Sequence, residues 1–266
     1  MPATVYRRAL GQHFLRDSSI AGKIADTAIE LALEHGAKSL LEIGPGKGAI
    51  TQPILLGLDK VEAARRPALI IAERDKEFVE HWKGIGLEVH GGDFLDLPES
   101  EWLNRPPLAV ASNLPYSAGT AIVTRLARHP DRIPCMVLMF QAEVAYRLRA
   151  EPETKDWGSL SVWIQNRWDV KKLIHVAPGA FSPPPEVQSE VVTMVRRAQP
   201  RVAVRDEVVW EKLLKACFAH RRKMLRAGLK GQDKFLAALK RSGVDETKRA
   251  EALTWDEWSR LIGAVE

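Results

Sequence analysis

The sequence has few of the residues that mark several classes of protein. It contains only two cysteines, Cys135 and Cys217, in no metal or redox spacing, and both are interpreted as small buried hydrophobic residues. The seven histidines are scattered without a metal-binding pair, so no metal site is predicted. The longest apolar runs, such as 135–140, are far too short to span a bilayer, and the N-terminus has no signal-peptide pattern. We therefore expect a cytoplasmic protein.

Length and charge indicate a large domain followed by a small basic one. The 266 residues are enough for both, and the net charge is +5. Residues 201–266 carry 15 basic and 10 acidic side chains, which accounts for the whole excess. The stretch 220–230, which contains Arg221, Arg222 and Lys223, is either a solvated helix face or a patch that contacts phosphates. Residues 6–8 and 65–68 would extend such a patch.

Strands and helices alternate along the first two hundred residues. Helical spacing predicts a helix over 17–36 with Asp17 as its N-cap. Apolar runs at 37–44, 67–75, 87–94 and 107–116 predict buried strands separated by helices, which favours a doubly wound, mostly parallel α/β sheet. Residues 190–197 are expected to close this sheet. Helical periodicity at 206–219, 232–241 and 255–264 then predicts a small C-terminal α-helical domain, with domains at 1–199 and 200–266.

A glycine-rich segment, EIGPGKG at 42–48, follows the first predicted strand. Gly44 and Gly46 allow a tight turn and a close approach of the backbone to a ligand. The spacing is not the GxGxxG fingerprint that suits a pyrophosphate. By itself the segment is compatible with nicotinamide, flavin or S-adenosylmethionine cofactors, or with a simple turn. Glu42 favours a ligand with a positively charged group, such as a sulfonium or an amino acid, over a diphosphate.

Polar side chains also follow the next three predicted strands. Glu73 ends the second strand, where doubly wound folds place an acid that binds ribose hydroxyls. Asp93 ends the third and can accept a hydrogen bond from an adenine amino group, and Asn113 ends the fourth. Because the ends of successive parallel strands meet at one edge of a sheet, we expect these residues and the glycine segment to form one ligand site.

The segment Asn113–Tyr116, with the sequence NLPY, is predicted to bind an exocyclic amine, and we call it the amine clamp. Such an amine is a poor nucleophile because its lone pair is delocalised into the ring. The side-chain carbonyl of Asn113 and the backbone carbonyl of Leu114, held by Pro115, can accept its two N–H bonds and direct the lone pair at a methyl donor. Tyr116 would stack on a base that has left its helix.

Five motifs in order resemble one family. GQHFL (11–15), EIGPGKG, NLPY, FSPPPEVQSEVV (181–192) and RRK (221–223) are similar to the ribosomal RNA adenine N6,N6-dimethyltransferases that modify the small subunit. The resemblance implies S-adenosylmethionine as donor. It implies as substrate two adjacent adenosines in a hairpin near the 3′ end of small-subunit rRNA, each dimethylated during ribosome biogenesis. A monomer that acts on a precursor of the small ribosomal subunit is expected.

The same resemblance implies roles for individual residues. Phe181 would close over the target adenine opposite Tyr116, and residues 221–223 would bind RNA. Three departures from the family are His13, where Asn is usual, Ala142, where Lys is common, and the small residues Ser117–Gly119. We expect the last to leave room for the first methyl group. Cofactor contacts are implied for His13, Leu15, Gly44, Glu73, Asp93 and Asn113.

Two other functions are compatible with these motifs. One is a non-catalytic nucleic-acid-binding assembly or transcription factor on the same fold, against which the intact glycine segment and amine clamp argue. The other is a large-subunit rRNA adenine methyltransferase that confers antibiotic resistance. Leu114 and the RRK segment favour the small-subunit enzyme over this sister family.

Overall fold

The computed structural model describes residues 13–265, so the predicted basic segment at 6–8 and residues 11–12 of the first motif lie outside it. The described chain divides into two compact units. One contains the residues up to Ala145 together with Asp169–Arg196, and the other contains Tyr146–Trp168 together with the chain from Arg197. The domain boundary predicted from the sequence, near residue 200, assigns 146–168 to the first domain. These residues join the second unit because Trp157 and Val162 are buried in its core.

The first unit is built on a seven-stranded sheet, which confirms the doubly wound α/β prediction. Its strands are β2 (Ser39–Ile43), β3 (Ala68–Glu73), β4 (Glu88–Gly91), β5 (Leu108–Asn113), β6 (Cys135–Gln141), β7 (Trp168–Val176) and β9 (Ser189–Arg196). The order across the sheet is β4-β3-β2-β5-β6-β9-β7, and β2 to β6 pair in parallel. All of these strands except β4 and β7 are mostly buried, as expected for a parallel sheet covered on both faces.

The strand at 189–196 occupies a different place from the one expected. It does not close the sheet at an edge but runs antiparallel to β6, between β6 and β7. The register runs from Cys135 opposite Val195 to Gln141 opposite Ser189, so the whole of β6 is paired. β7, with its many exposed residues, is the strand at this edge, and β4 is at the opposite edge.

Helices connect the strands of this unit. They are α1 (Ser18–Glu34), α2 (Thr51–Leu58), α3 (Lys76–Gly84), α4 (Glu99–Trp102), α5 (Gly119–Ala127) and α6 (Ala142–Leu148), the last of which continues into the second unit. The prediction that Asp17 caps α1 is confirmed, since its carboxylate accepts hydrogen bonds from the amides of Ser19 and Ile20. Apolar residues of α1, including Ile24, are buried in the same core as Leu40 and Ile71 of the sheet.

A second, two-stranded ladder was not expected from the sequence. β1 (Phe14–Leu15) pairs antiparallel with β8 (Phe181–Ser182), which follows a 3₁₀ turn at Pro178–Ala180. The amide of Arg16 extends the ladder by donating to the carbonyl of Ala180 at 2.8 Å. The ladder joins the start of the described chain to the segment that precedes β9.

The second unit is helical, as predicted. It contains α7 (Ser159–Arg167), α8 (Glu207–Phe218), α9 (Leu225–Gly228), α10 (Asp233–Ser242), a 3₁₀ turn at Ala250–Ala252, and α11 (Trp255–Val265). Trp210 and Trp258 pack edge to face in its core, with ring centroids 5.7 Å apart. Within residues 13–265, no helix is both long enough and apolar enough to cross a membrane.

The RRK segment is not on a helix. Residues 219–222 form turns between α8 and α9, so the helix-face interpretation is wrong for this segment. After these turns, the amides of the first two residues of α9 bond to another part of the chain: Leu225 donates to the carbonyl of Lys248 and Arg226 to that of Glu246.

Candidate active site

A cavity of about 790 Å³ lies in the first unit, at the carboxyl ends of β2, β3 and β5. This volume is within the range of small-molecule sites, about 300–1,000 Å³. The cavity gathers most of the residues that the sequence singled out: His13, Leu15, Glu42, Gly44, Gly46, Glu73, Asp93, Asn113, Leu114 and Tyr116 all line it. Ser117 and Ala118 also line it.

The glycine segment is shaped by a tryptophan from α3. Gly48 has a φ of +84°, and a Cβ there would lie 2.4 Å from Cη2 of Trp82. The indole N–H of Trp82 donates to the carbonyl of Gly46 at 3.2 Å. Gly44, with a φ of +66°, has open space where a Cβ would be, so a ligand can approach its backbone closely.

Glu73 connects this turn to the next strand. Its Oε2 accepts a hydrogen bond from the amide of Gly46 at 3.0 Å, and Oε1 accepts from the amides of Arg74 at 2.7 Å and Asp75 at 2.9 Å. The side chain is therefore fixed before any ligand binds. Carboxylate oxygens have about four acceptor positions, so Glu73 can still accept hydrogen bonds from hydroxyl groups in the cavity.

Asp93 is more exposed than Glu73. Its Oδ1 accepts from the amide of Leu95 at 3.0 Å, and its Oδ2 lies 3.5 Å from the guanidinium of Arg74. The carboxylate lies at the wall of the cavity and is held by groups that leave part of its acceptor capacity free.

Glu42 is a buried acid at the end of β2. Burial raises the pKa of Glu42 to about 8, and the neighbouring Glu73 carboxylate adds to the shift, while the Thr51 hydroxyl works in the opposite direction. Neither Oε2 of Glu42 nor Oγ1 of Thr51 has a hydrogen-bond partner with good geometry among residues 13–265. A buried carboxyl group with a raised pKa, such as that of Glu42, is stabilised when a cation or a hydrogen-bond donor enters the cavity.

Asn113 presents a second buried acceptor. Its Nδ2 donates a long, 3.5 Å hydrogen bond to the backbone carbonyl of His13. Its Oδ1 is buried and has no hydrogen-bond partner within the described part of the chain. Leu114 is buried, and its amide donates to the carbonyl of Met139 at 3.2 Å, which ties the amine clamp to β6. Oδ1 of Asn113, judged over residues 13–265, therefore lacks the donor that a buried acceptor normally has.

Tyr116 is held at two points. Its hydroxyl shares a 2.6 Å hydrogen bond with Oγ of Ser189, and its ring stacks on that of His13 with centroids 5.6 Å apart. Nδ1 of His13 is in turn 2.8 Å from the carbonyl oxygen of Pro183. Burial raises the pKa of Tyr116 and outweighs the opposing effect of Ser189, so the phenol stays neutral.

Two residues of the predicted site lie away from the cavity. Phe181 is 2% exposed, packs in the core that contains Leu15, and is not among the described residues that line the cavity. Its stacking on adenine stays a prediction. A side chain at Gly119 would meet Phe140 at 3.2 Å, so this residue borders the core. That Ser117–Gly119 leave room for a methyl group stays a prediction.

The RRK residues belong to the second unit and differ among themselves. Arg221 donates to the carbonyls of Lys155 at 2.7 Å and Thr154 at 3.4 Å, and lies 3.5 Å from the carboxylate of Glu251. Arg222 and Lys223 are exposed, and neither side chain has an ion pair or hydrogen bond in the part of the protein that the structure covers. Of the three RRK residues, Arg222 and Lys223 therefore have their full charge available to a partner.

Trp82 and Ser189 were not identified from the sequence as parts of the site. Trp82 lies in an amphipathic helix, where an aromatic residue indicates only core packing. Ser189 is part of a motif that carried the resemblance, but a serine at the start of a strand has no pattern that indicates its partner. The tertiary contacts alone reveal both.

The family model and similar relatives of this chain point to the same family. The family model of ribosomal RNA adenine dimethylase matches residues 4–265. "Ribosomal RNA small subunit methyltransferase A" of Geobacter sulfurreducens is 40% identical over 96% of this chain and 93% of its own length. The protein of the same name from Rhodospirillum rubrum is 40% identical over 98% and 88%.

Solved structures agree with this fold. The 23S rRNA methyltransferase ErmE has a TM-score of 0.66 and 25% identity, covering 95% of this chain and 99% of its own. A dimethyladenosine transferase from Plasmodium falciparum has a TM-score of 0.71 and 22% identity, covering 94% and 96%. Because the family model matches nearly the whole length of this chain, the chain belongs to the ribosomal RNA adenine dimethylase family.

Proposed function

We propose that this protein transfers methyl groups from S-adenosylmethionine to the N6 amines of two adjacent adenosines near the 3′ end of small-subunit rRNA, and dimethylates each. The observation that carries the proposal is the buried, unpartnered Oδ1 of Asn113 at the wall of the 790 Å³ cavity, in the part of the chain that the structure covers. An acceptor left unpaired in this way costs free energy until a donor reaches it. The adenine amine is that donor.

The residues of the cavity fit S-adenosylmethionine. Glu42 provides a buried carboxyl group with an unpartnered oxygen, judged over residues 13–265, which suits a ligand that carries positive charge. Gly44 leaves its backbone open, and Glu73 and Asp93 keep free acceptor capacity for hydroxyl and amino groups. When bound, the cofactor supplies an electrophilic methyl group on its sulfonium.

The chain contributes orientation and polarity rather than a general base. The side-chain oxygen Oδ1 of Asn113 and the backbone carbonyl of Leu114 accept hydrogen bonds from the two N–H groups of the amine. They thereby direct its lone pair into the cavity. Tyr116 provides an aromatic face for the base. The proton can leave after transfer, so positioning and electrostatics provide most of the rate enhancement.

Small-subunit rRNA is the substrate that the relatives favour. Proteins named for the small subunit are 35–40% identical to this chain, whereas the 23S rRNA methyltransferase is 25% identical. The intact cavity argues against a non-catalytic factor. We further propose that the protein acts as a cytoplasmic monomer on a precursor of the small subunit, with Arg222 and Lys223 contacting RNA phosphates.

The test is a methyl-transfer assay with labelled S-adenosylmethionine on unmethylated small and large ribosomal subunits in parallel. Label in the small subunit alone supports the proposal. Label in the large subunit alone would support the sister activity, and calorimetric binding of S-adenosylmethionine without label in either would support the non-catalytic factor.

A further inference from the structure

Ser189 is the first residue of β9, opposite Gln141 at the end of β6, and it is fully buried. Its hydroxyl lies 2.6 Å from the hydroxyl of Tyr116, although the two residues are 73 positions apart in the chain. The tip of the Tyr116 ring is therefore anchored to the sheet rather than to the loop that carries it.

The ring of Tyr116 borders the cavity, so its orientation decides where a base can stack. A half-buried tyrosine on a loop would otherwise rotate about two side-chain torsions. Fixing a side chain before binding removes an entropy cost that would otherwise reduce affinity. The anchor at the hydroxyl leaves the faces of the ring for other aromatic groups, one of which now contacts His13.

We propose that Ser189 is a positioning residue, which holds Tyr116 in the orientation that stacks the target adenine beside the amine clamp. This inference rests on the proposed function. Ser189 does not contact the substrate itself, since Ser182 and not Ser189 lies among the described residues that line the cavity. Its effect on the reaction passes through the Tyr116 hydroxyl.

The two ends of this hydrogen bond can be removed separately. Ser189→Ala and Tyr116→Phe should each lower kcat/KM for unmethylated small subunits about three- to tenfold, the range expected for freeing one side chain. Because both changes remove the same bond, the double variant should be no worse than either single one. The calorimetric Kd for S-adenosylmethionine should stay unchanged in all three.

Thr193→Ala is the matched control, since Thr193 is in the same strand and its hydroxyl is 3.5 Å from the carbonyl of Lys171. It should leave kcat/KM unchanged. If Ser189→Ala fails to fold, Tyr116→Phe still tests the claim. Full activity in Tyr116→Phe, or losses that multiply in the double variant, would overturn the inference. Inactive parent protein would instead refute the proposed function.

Discussion

At the scale of the residue, the cavity is defined by two buried oxygens without partners among residues 13–265: Oδ1 of Asn113 and Oε2 of Glu42. Both come at the ends of strands and both line the same cavity. Burying an oxygen without a hydrogen-bond partner lowers the free energy of unfolding, so replacing either side chain should have a measurable effect.

Replacing Asn113 by Ala should lower kcat by about 10²–10³, the usual effect of removing one preorganised polar group. The fold should persist, because the change removes an unpartnered acceptor and only a long, 3.5 Å hydrogen bond to His13. Steady-state kinetics and thermal unfolding measure the two effects. Asn104→Ala, at an exposed turn, is the control and should change neither. Near-parental activity in Asn113→Ala would rule out the amine clamp.

Glu42 should make the empty protein less stable as the pH rises. The folded state holds its proton up to a pKa of about 8, whereas the unfolded chain releases it near the ordinary value of 4.5. The folded state thus binds more protons between these values, and the free energy of unfolding falls across that window, by a few kcal/mol at most. Urea unfolding at about pH 5 and about pH 8 measures the change. In Glu42→Gln the decrease should be smaller; an identical decrease would show that Glu42 is not its source.

At the scale of the element, the turn between β2 and α2 depends on α3, because Trp82 occupies the space beside Gly48. Gly48→Ala forces a Cβ to 2.4 Å from the indole at a φ of +84°. We expect a loss of about 1–3 kcal/mol in unfolding free energy from the overpacking, together with weaker binding of S-adenosylmethionine.

Denaturant unfolding and calorimetry test this expectation. Gly22→Ala is the opposite case, since Gly22 lies within α1 and a Cβ there meets nothing within 4 Å. It should stabilise the protein by about 0.5–1 kcal/mol. Equal effects of the two changes would contradict the role given to Trp82.

Most of the longer strands and helices could be predicted because they have a strong period or a continuous apolar run, as in Cys135–Gln141. The position of β9 could not, since its sequence indicates a strand but not its neighbours. The ladder of β1 and β8 has two residues in each strand, too few for any period. Asn113 could be identified as a site residue because it comes at the end of a predicted strand. The role of Ser189 could not be identified, because it depends on a contact with Tyr116, which is 73 residues away in the chain.

At the scale of the whole molecule, the net positive charge of the chain comes from the C-terminal segment, 201–266. Charge reversal of Arg222 and Lys223 to Glu should weaken binding to small-subunit rRNA and reduce the slope of log K against log salt by about one to two, since each phosphate contact contributes about 0.7–0.9. Arg221→Ala should mainly lower stability, because its guanidinium binds the carbonyls of Lys155 and Thr154.

Filter binding over a range of salt concentrations measures the slope. Reversal of Lys23 and Lys60, which are exposed in the first unit, changes the net charge equally and is the control. The same slope in the parent and in the Arg222 and Lys223 variant would favour a solvated surface over an RNA contact.

The central claim is that this protein dimethylates adenosine, and the most direct test is mass spectrometry of nucleosides. Unmethylated small subunits are incubated with the protein and saturating S-adenosylmethionine, and their rRNA is digested and analysed. The account predicts that N6,N6-dimethyladenosine accumulates, while the Asn113→Ala variant gives little product. A parent protein that yields only N6-monomethyladenosine, or no methylated adenosine, would contradict it.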